Sequence, residues 1–320
     1  MAVISIPTQE KLKLDLYDKK IIFYLSQNSR MPLTELAKKL RISVQRCKYK
    51  VDRLQKEILE PAAFMTFPLL DINSYILFTP QLDQEIIDKL IKDESIYFLM
   101  QSIGKYQYVI NVVTEDISGF CNKYLSTYHI EVHPIINTYA DDYNPFKLDI
   151  TPKPLLPNKR IPLDKKDYKI LAHIGEKPTD SLIEIQQALK IDRQTIKQRI
   201  KKFEEANIIQ KFRYGINIFK LGHIAYILKI SVVPKHKKAI LQTIRNNNYS
   251  GFVFESYSNF TIHFLPPSHN EVFAFTKKLE EIDPTVQIDV IQNTEFYKVD
   301  LIPSSVIRIL KERANNQFKT

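Results

Sequence analysis

Apolar positions recur at three- and four-residue steps through residues 18–59, as expected of short helices that each bury one face. Ile21, Ile22 and Leu25 mark a first helix over residues 18–26. Leu33, Leu36, Ala37 and Leu40 mark a second, opened by Pro32, whose missing N–H costs nothing in a first turn. Arg41-Ile42-Ser43 then places Ile42 as a core plug and Ser43 as a cap, and residues 44–57 turn Cys47, Val51 and Leu54 to one side. Three short helices with a tight turn before the third predict a helix-turn-helix, and the strand-like residues 59–67 predict a short wing. The period then changes. Residues 75–78, 96–103, 106–113 and 130–138 read as strands, and residues 84–92 and 116–128 read as helices. That order is β-α-β-β-α-β, a ferredoxin-like pattern.

The whole arrangement occurs twice. At an offset of 149 residues, Asp18, Ile22, Leu25, Leu33, Glu35, Leu36, Leu40, Ile42, Val51, Leu54 and Leu59 meet Asp167, Leu171, Ile174, Leu182, Glu184, Ile185, Leu189, Ile191, Ile200, Phe203 and Ile208 without a gap. The second copy predicts helices over 164–174 and 181–189, then one capped by Asp192, and a wing over 208–214. Strands at 225–233, 251–257, 260–265 and 286–297 and helices at 237–245 and 269–282 follow in the same order. Pro145, Pro152, Pro154 and Pro157 make the stretch between copies an extended linker.

The fold class is therefore α+β: two winged helix-turn-helix domains, each followed by a ferredoxin-like βαββαβ domain. The expected boundaries are 11–66, 67–140, a linker at 141–160, 161–216, 217–300, and a basic C-terminal helix and tail at 301–320.

Charge sharpens the picture. The net charge is +10, but residues 11–64 hold 13 Lys and Arg against 6 Asp and Glu, and residues 159–215 hold 14 against 8. Two basic blocks, each coinciding with a predicted helix-turn-helix, suit a polyphosphate partner. Composition excludes other classes. Charges or prolines interrupt every apolar run too early for a membrane helix, and the first ten residues lack a secretion-signal layout. A cytoplasmic location is expected. Cys47 and Cys121 lack metal-type spacing, and no Cys/His constellation fits a zinc site. Six glycines form no phosphate loop or nucleophile elbow. No catalytic residue, metal or cofactor is assigned.

With Cys47, Val51 and Leu54 buried, the 100° helical step turns Gln45, Arg46, Tyr49 and Arg53 to the far side of the third helix. The corresponding residues of the second copy are Gln194, Thr195, Gln198 and Lys202, with Lys201 beside them. Arg and Gln can read guanine and adenine edges, while Lys and Thr hold phosphates. Asp52, on the same face, is expected to oppose phosphate. These residues are the expected contacts to double-stranded DNA.

Both copies open on Leu-Asp-x-x-Asp, as Leu14-Asp15-x-x-Asp18 and Leu163-Asp164-x-x-Asp167, and the first continues with Leu33-Thr34-Glu35-Leu36-Ala37 and with Ile42-Ser43 through Cys47, Val51, Arg53 and Leu54. On these residues the chain resembles the Lrp/AsnC ("feast/famine") regulators in a tandem-duplicated form. Where the family usually has Gly after the recognition helix, this sequence has Glu57-Ile58 and Ala206-Asn207. The family's turn Gly between the middle strands is kept as Gly104 but replaced by Ser258-Asn259. The resemblance implies DNA-binding regulation of transcription, modulation by an amino-acid-like effector, and pairing of the α/β domains with each other or with a second chain. Two alternatives share the architecture or the charge. One is a sirohaem decarboxylase-like enzyme, which needs basic and histidine side chains around a large cavity, with His223, His263 and Arg245 as the available groups. The other is a chromatin-like or protein-only adaptor, without sequence-selective DNA binding.

Overall fold

Each half of the chain begins with three helices whose ends are fixed by their own sequence. The computed structural model describes residues 10–140, 143–148 and 157–315, with the backbone of a two-residue strand, β1(Ile4–Ser5). In the first copy the helices are α1(Leu16–Gln27), α2(Leu33–Leu40) and α3(Val44–Glu57), followed by β2(Leu59–Met65). Asp15 caps α1 by accepting from the Asp18 N–H at 2.8 Å, and Asp18 reaches back to the Asp15 N–H at 3.0 Å. This reciprocal capping box satisfies two N–H groups that a helix start leaves without partners. Arg41, at φ 55°, ends α2 in the left-handed region, and Ser43 caps α3. Ile21, Ile22, Leu25, Leu36, Leu40, Cys47, Val51 and Leu54 close a core of their own.

The α/β part of this copy contains β3(Ser74–Thr79), α4(Gln84–Lys92), β4(Ile96–Ile103), β5(Tyr108–Val113), α5(Ile117–Tyr124), β6(Glu131–Pro134) and β7(Asn137–Ala140). The second copy begins with α6(Lys165–Glu176), α7(Leu182–Leu189), α8(Arg193–Glu205) and β8(Ile209–Ile216). It continues with β9(Tyr226–Ser231), α9(Lys237–Arg245), β10(Ser250–Glu255), β11(Asn259–Phe264), α10(His269–Ile282) and β12(Gln287–Val299), and α11(Ser304–Asn315) closes the described chain. Asp164 and Asp167 repeat the capping box, Lys190 repeats the left-handed turn at φ 56°, and Asp192 caps α8. Asn207, at φ 61°, takes a left-handed position after α8, a conformation that Asn tolerates better than most residues other than Gly.

The strand-like wings expected at 59–67 and 208–214 are β2 and β8, and they pair with each other, antiparallel, from Leu59↔Ile216 to Met65↔Ile209. Each copy supplies one strand before a 3₁₀ turn (Phe67–Leu70, Ile218–Leu221) leads into its α/β domain. A lone strand would leave its N–H and C=O groups unpaired, and the twin strand satisfies them. One expectation is corrected: the single strand expected at 130–138 is divided into β6 and β7. Ile135 donates to Ser74 O at 2.9 Å and Ile136 to Glu255 O at 2.8 Å, so the chain changes partner strand at this pair of residues. The linker is described only at 143–148 and 157–160; its remaining residues, like 316–320 of the tail, lie outside the described residues.

The strand order β6-β3-β5-β4-β12-β9-β11-β10-β7 joins both ferredoxin-like units in one sheet. β12 pairs first with β9 and then, through Gln292–Val299, with β4 of the other copy, while β7 pairs with β10. The two α/β domains thus pair within the chain. Alternate residues divide between two cores. Leu77, Leu99, Ile110 and Val112 pack under α4 and α5, and Ile76, Phe78, Met100 and Val109 share an interior with Ile227, Phe254 and Ile291. Burial on both faces explains the nearly unbroken apolar runs of these strands. The second helix-turn-helix joins that interior, with α11 packed on α6, whereas the first keeps a separate core.

Candidate nucleic-acid interface

Each third helix is tied to its first helix by charge. In copy one Lys50 Nζ lies 2.6 Å from Asp15 and 2.9 Å from Asp18, and Arg53 lies 2.6 Å from Asp18, which is buried. In copy two Arg199 lies 2.7 Å from Asp164 and 2.6 Å from Asp167, and Lys202 lies 3.1 Å from the buried Asp167. The Leu-Asp-x-x-Asp motif is therefore both cap and clamp, with the Lys and Arg positions exchanged between copies. Burial alone would lower the Lys50 pKa, but hydrogen bonds and charges from Asp15 and Asp18 hold it raised. Burial resists ionisation of Asp15, yet Lys50 and the Asp18 N–H bring its pKa to about 2.

Two of the expected DNA contacts lie in this clamp. Arg53 and Lys202 sit on α3 and α8, and their cationic ends meet the domain's own carboxylates. The other expected residues point outward. Gln45, Arg46 and Tyr49 are exposed, with the Arg46 guanidinium over the Tyr17 ring at 5.0 Å. Gln194, Gln198 and Lys201 are exposed and Thr195 is half-buried, with Lys201 3.6 Å from Glu205. Sequence reasoning missed Lys48, Arg193 and Lys197, which are also exposed on these helices. Lys48 and Lys197, like Gln45 and Gln194, occupy equivalent positions across the repeat, and that identity was the signal available. Position 52 carries an exposed Asp where position 201 carries Lys, so the two faces share a register and differ in charge.

The two heads are also joined to each other. The turn between α1 and α2 lies against the second copy: Ser29 donates to Phe212 O at 2.8 Å, and Arg30 donates from Nε to Pro178 O at 3.0 Å. Arg30 also lies 3.7 Å from the Phe212 ring centre, and burial lowers its pKa to about 10. Together with the β2–β8 ribbon, this contact ties the first three-helix unit to the second.

The histidines do not form a cluster. His129 lies outside β6 and is exposed, whereas His133 lies on β6, where it meets Asn259 of β11 at 3.1 Å. Among the described residues no group of three or more His, Cys, Asp or Glu side chains could hold a metal ion, and no helix is long and apolar enough to cross a membrane. Tyr97, Phe98 and Tyr108 are buried on β4 and β5, and Tyr106 is buried in the turn between them, since β5 begins at Tyr108 and not at 106 as expected.

A family model described as winged helix-turn-helix DNA-binding matches the chain twice, over residues 14–57 and 163–210. The chain is 31% identical over 87 residues to an uncharacterized HTH-type transcriptional regulator of Pyrococcus furiosus. That stretch is 27% of this chain and 59% of the relative, less than two thirds of its length. Among solved structures, siroheme decarboxylase NirDL is similar with a TM-score of 0.58 at 11% identity, covering 92% of this chain and 97% of that one. The same protein in co-complex with an iron-uroporphyrin III analogue gives 0.57 at 10% identity, covering 92% and 98%. At such identity the likeness is one of fold. The two segments that the family model matches are the two winged helix-turn-helix units, and each is followed by a ferredoxin-like domain.

Proposed function

We propose that this protein regulates transcription by binding double-stranded DNA at a site made of two unlike half-sites. The observation that carries the reading is the pair of outward faces on α3 and α8, matched at Gln45/Gln194 and Lys48/Lys197 and unlike at 46/195, 49/198 and 52/201. Helices of this kind enter the major groove, where amide and guanidinium groups read base edges and lysines hold phosphate. Selection from random duplexes, followed by competition at about 150 mM salt, tests it. The expected product is an asymmetric sequence, bound in preference to bulk DNA. Arg46→Ala and Gln198→Ala should each weaken that complex by about 1–3 kcal/mol and relax one position. Selection of a strict palindrome contradicts the unlike heads, and binding without sequence preference contradicts the regulator and favours the adaptor reading.

A second reading, decarboxylation of a tetrapyrrole, is supported by the whole-chain likeness to NirDL and by a cavity that gathers His263, Arg213 and Lys298. Of the groups expected for it, His223 lies behind that cavity against Tyr143, and Arg245 stacks over Tyr139 at 5.1 Å. A spectral shift on adding sirohaem, followed by loss of carboxylates from the pigment, favours it; an unchanged spectrum removes it.

A further inference from the structure

A cavity of about 470 Å³ lies where the β2–β8 ribbon meets the joined sheet. Its walls draw on both copies: Phe98 of β4, Arg213 of β8, Phe252 of β10, His263 of β11, Lys298 of β12, and Tyr143 from the segment between copies. The volume lies in the range of about 300–1,000 Å³ usual for small-molecule sites.

His263 is the unusual group. It is only 6% exposed, and its ring stands among those of Phe98, Phe252 and Phe254, at centroid distances of 5.1, 5.7 and 5.4 Å. Its Nε2 has no hydrogen-bond partner among the described residues. Burial lowers its pKa to about 3, so the ring is neutral near pH 7. Leaving such a nitrogen unpaired is costly, and an occupant able to bond to it would recover that cost. Arg213 brings a buried cation to the same wall, its guanidinium 4.7 Å from the Phe252 ring centre. Tyr143 is held in place by a 2.9 Å bond between its hydroxyl and His223 Nδ1.

We propose that this cavity binds a small, flat, largely apolar monocarboxylate, its ring against Phe98 and Phe252 and its carboxylate at Arg213 and His263. Arg213 lies on β8 and pairs across the ribbon with Ala62 of β2, the strands that directly follow the two recognition helices. An occupant therefore touches the element that carries both heads and biases their affinity for DNA by its preference for one ribbon position. This coupling rests on the regulator reading; the binding itself does not.

Calorimetry on the full chain with benzoate, indole-3-acetate and 2-naphthoate tests the site, with 2-naphthamide as the uncharged counterpart. At least one carboxylate should saturate one site per chain, and 2-naphthoate should bind at least tenfold tighter than the amide. Arg213→Met and His263→Phe should each weaken binding tenfold or more; should either variant misfold, the acid–amide comparison on the native chain decides. No saturable binding by any of the three, equal affinity for acid and amide, or affinity unchanged in both variants overturns the proposal. So does saturation by iron uroporphyrin III with the small acids excluded, which assigns the cavity to tetrapyrroles. Carboxylate binding that leaves the affinity for a selected duplex unchanged overturns the effector role alone. Failure to select any duplex sinks the regulator reading and leaves the calorimetric result standing.

Discussion

Asp18→Ala tests the clamp that holds α3 on α1. The Asp18 side chain is 2% exposed and receives Lys50 at 2.9 Å and Arg53 at 2.6 Å. Removing one member of a buried ion pair costs about 3–5 kcal/mol, because the remaining charge stays out of water. Here Arg53 is 37% exposed and can turn to solvent, whereas Lys50 at 9% cannot, so the cost falls towards about 3 kcal/mol. Loss of the reciprocal cap on the Asp15 N–H adds up to about 1 kcal/mol. The internal repeat supplies the control. Lys50→Arg with Arg53→Lys writes the second copy's Arg199 and Lys202 into the first, keeps the charges, and should change stability by less than about 1 kcal/mol. Global unfolding of a chain with several domains would blur the effect, so the measurement is amide hydrogen exchange at α1 and α3. A loss of about 3 kcal/mol there is roughly a hundredfold faster exchange. Protection unchanged in Asp18→Ala, or a double swap as damaging as the alanine, refutes the clamp. The swap also separates roles: a base-reading Arg53 would lose about 1–3 kcal/mol of DNA affinity as Lys, and a clamping one should lose far less.

Three further outcomes follow from the interior. Burial resists ionisation of Glu131, but Lys229 and Tyr106 hold its pKa at about 2, below the ordinary 4.5. The unfolded chain takes up that proton first, so roughly 3 kcal/mol of stability is full above pH 4.5 and drains as pH falls towards 2; Glu131→Gln should flatten that slope in acid unfolding followed by near-ultraviolet circular dichroism. His263 has the same sign for a different reason. With a folded pKa of about 3 against 6.5 unfolded, it contributes stability that declines as pH drops below about 6.5, and His263→Phe should remove that part of the pH dependence. Arg313 of α11 donates to Leu70 O and, at 2.9 Å, to Asp71 O. Arg313→Ala should cost about 1–2 kcal/mol, read as faster exchange in α6 and α11 while α1 to α3 are unaffected.

Much of the local structure was legible in the chain. The helices expected at 84–92, 237–245 and 269–282 are α4, α9 and α10, because an amphipathic stripe bounded by turn residues is a local signal. The caps at Ser43 and Asp192 were legible for the same reason, and the spacing Asp-x-x-Asp could have revealed the two capping boxes. The outward set on α3 and α8 followed from helical phase alone. What phase could not tell is which outward cation is already paired: Arg53 and Lys202 meet carboxylates 35 residues away in sequence, and only packing α3 on α1, and α8 on α6, brings them together.

By itself, then, the sequence determined the repeat, the order of elements and the faces each would bury, since these depend on residues within a few turns of one another. The tertiary structure alone decided who pairs with whom. A strand's edge does not name its partner, and here β2 and β8, β4 and β12, and β7 and β10 each satisfy their open hydrogen bonds across the repeat and not within a copy. That exchange fuses two similar halves into one body and creates, at the seam, a cavity that neither half contains.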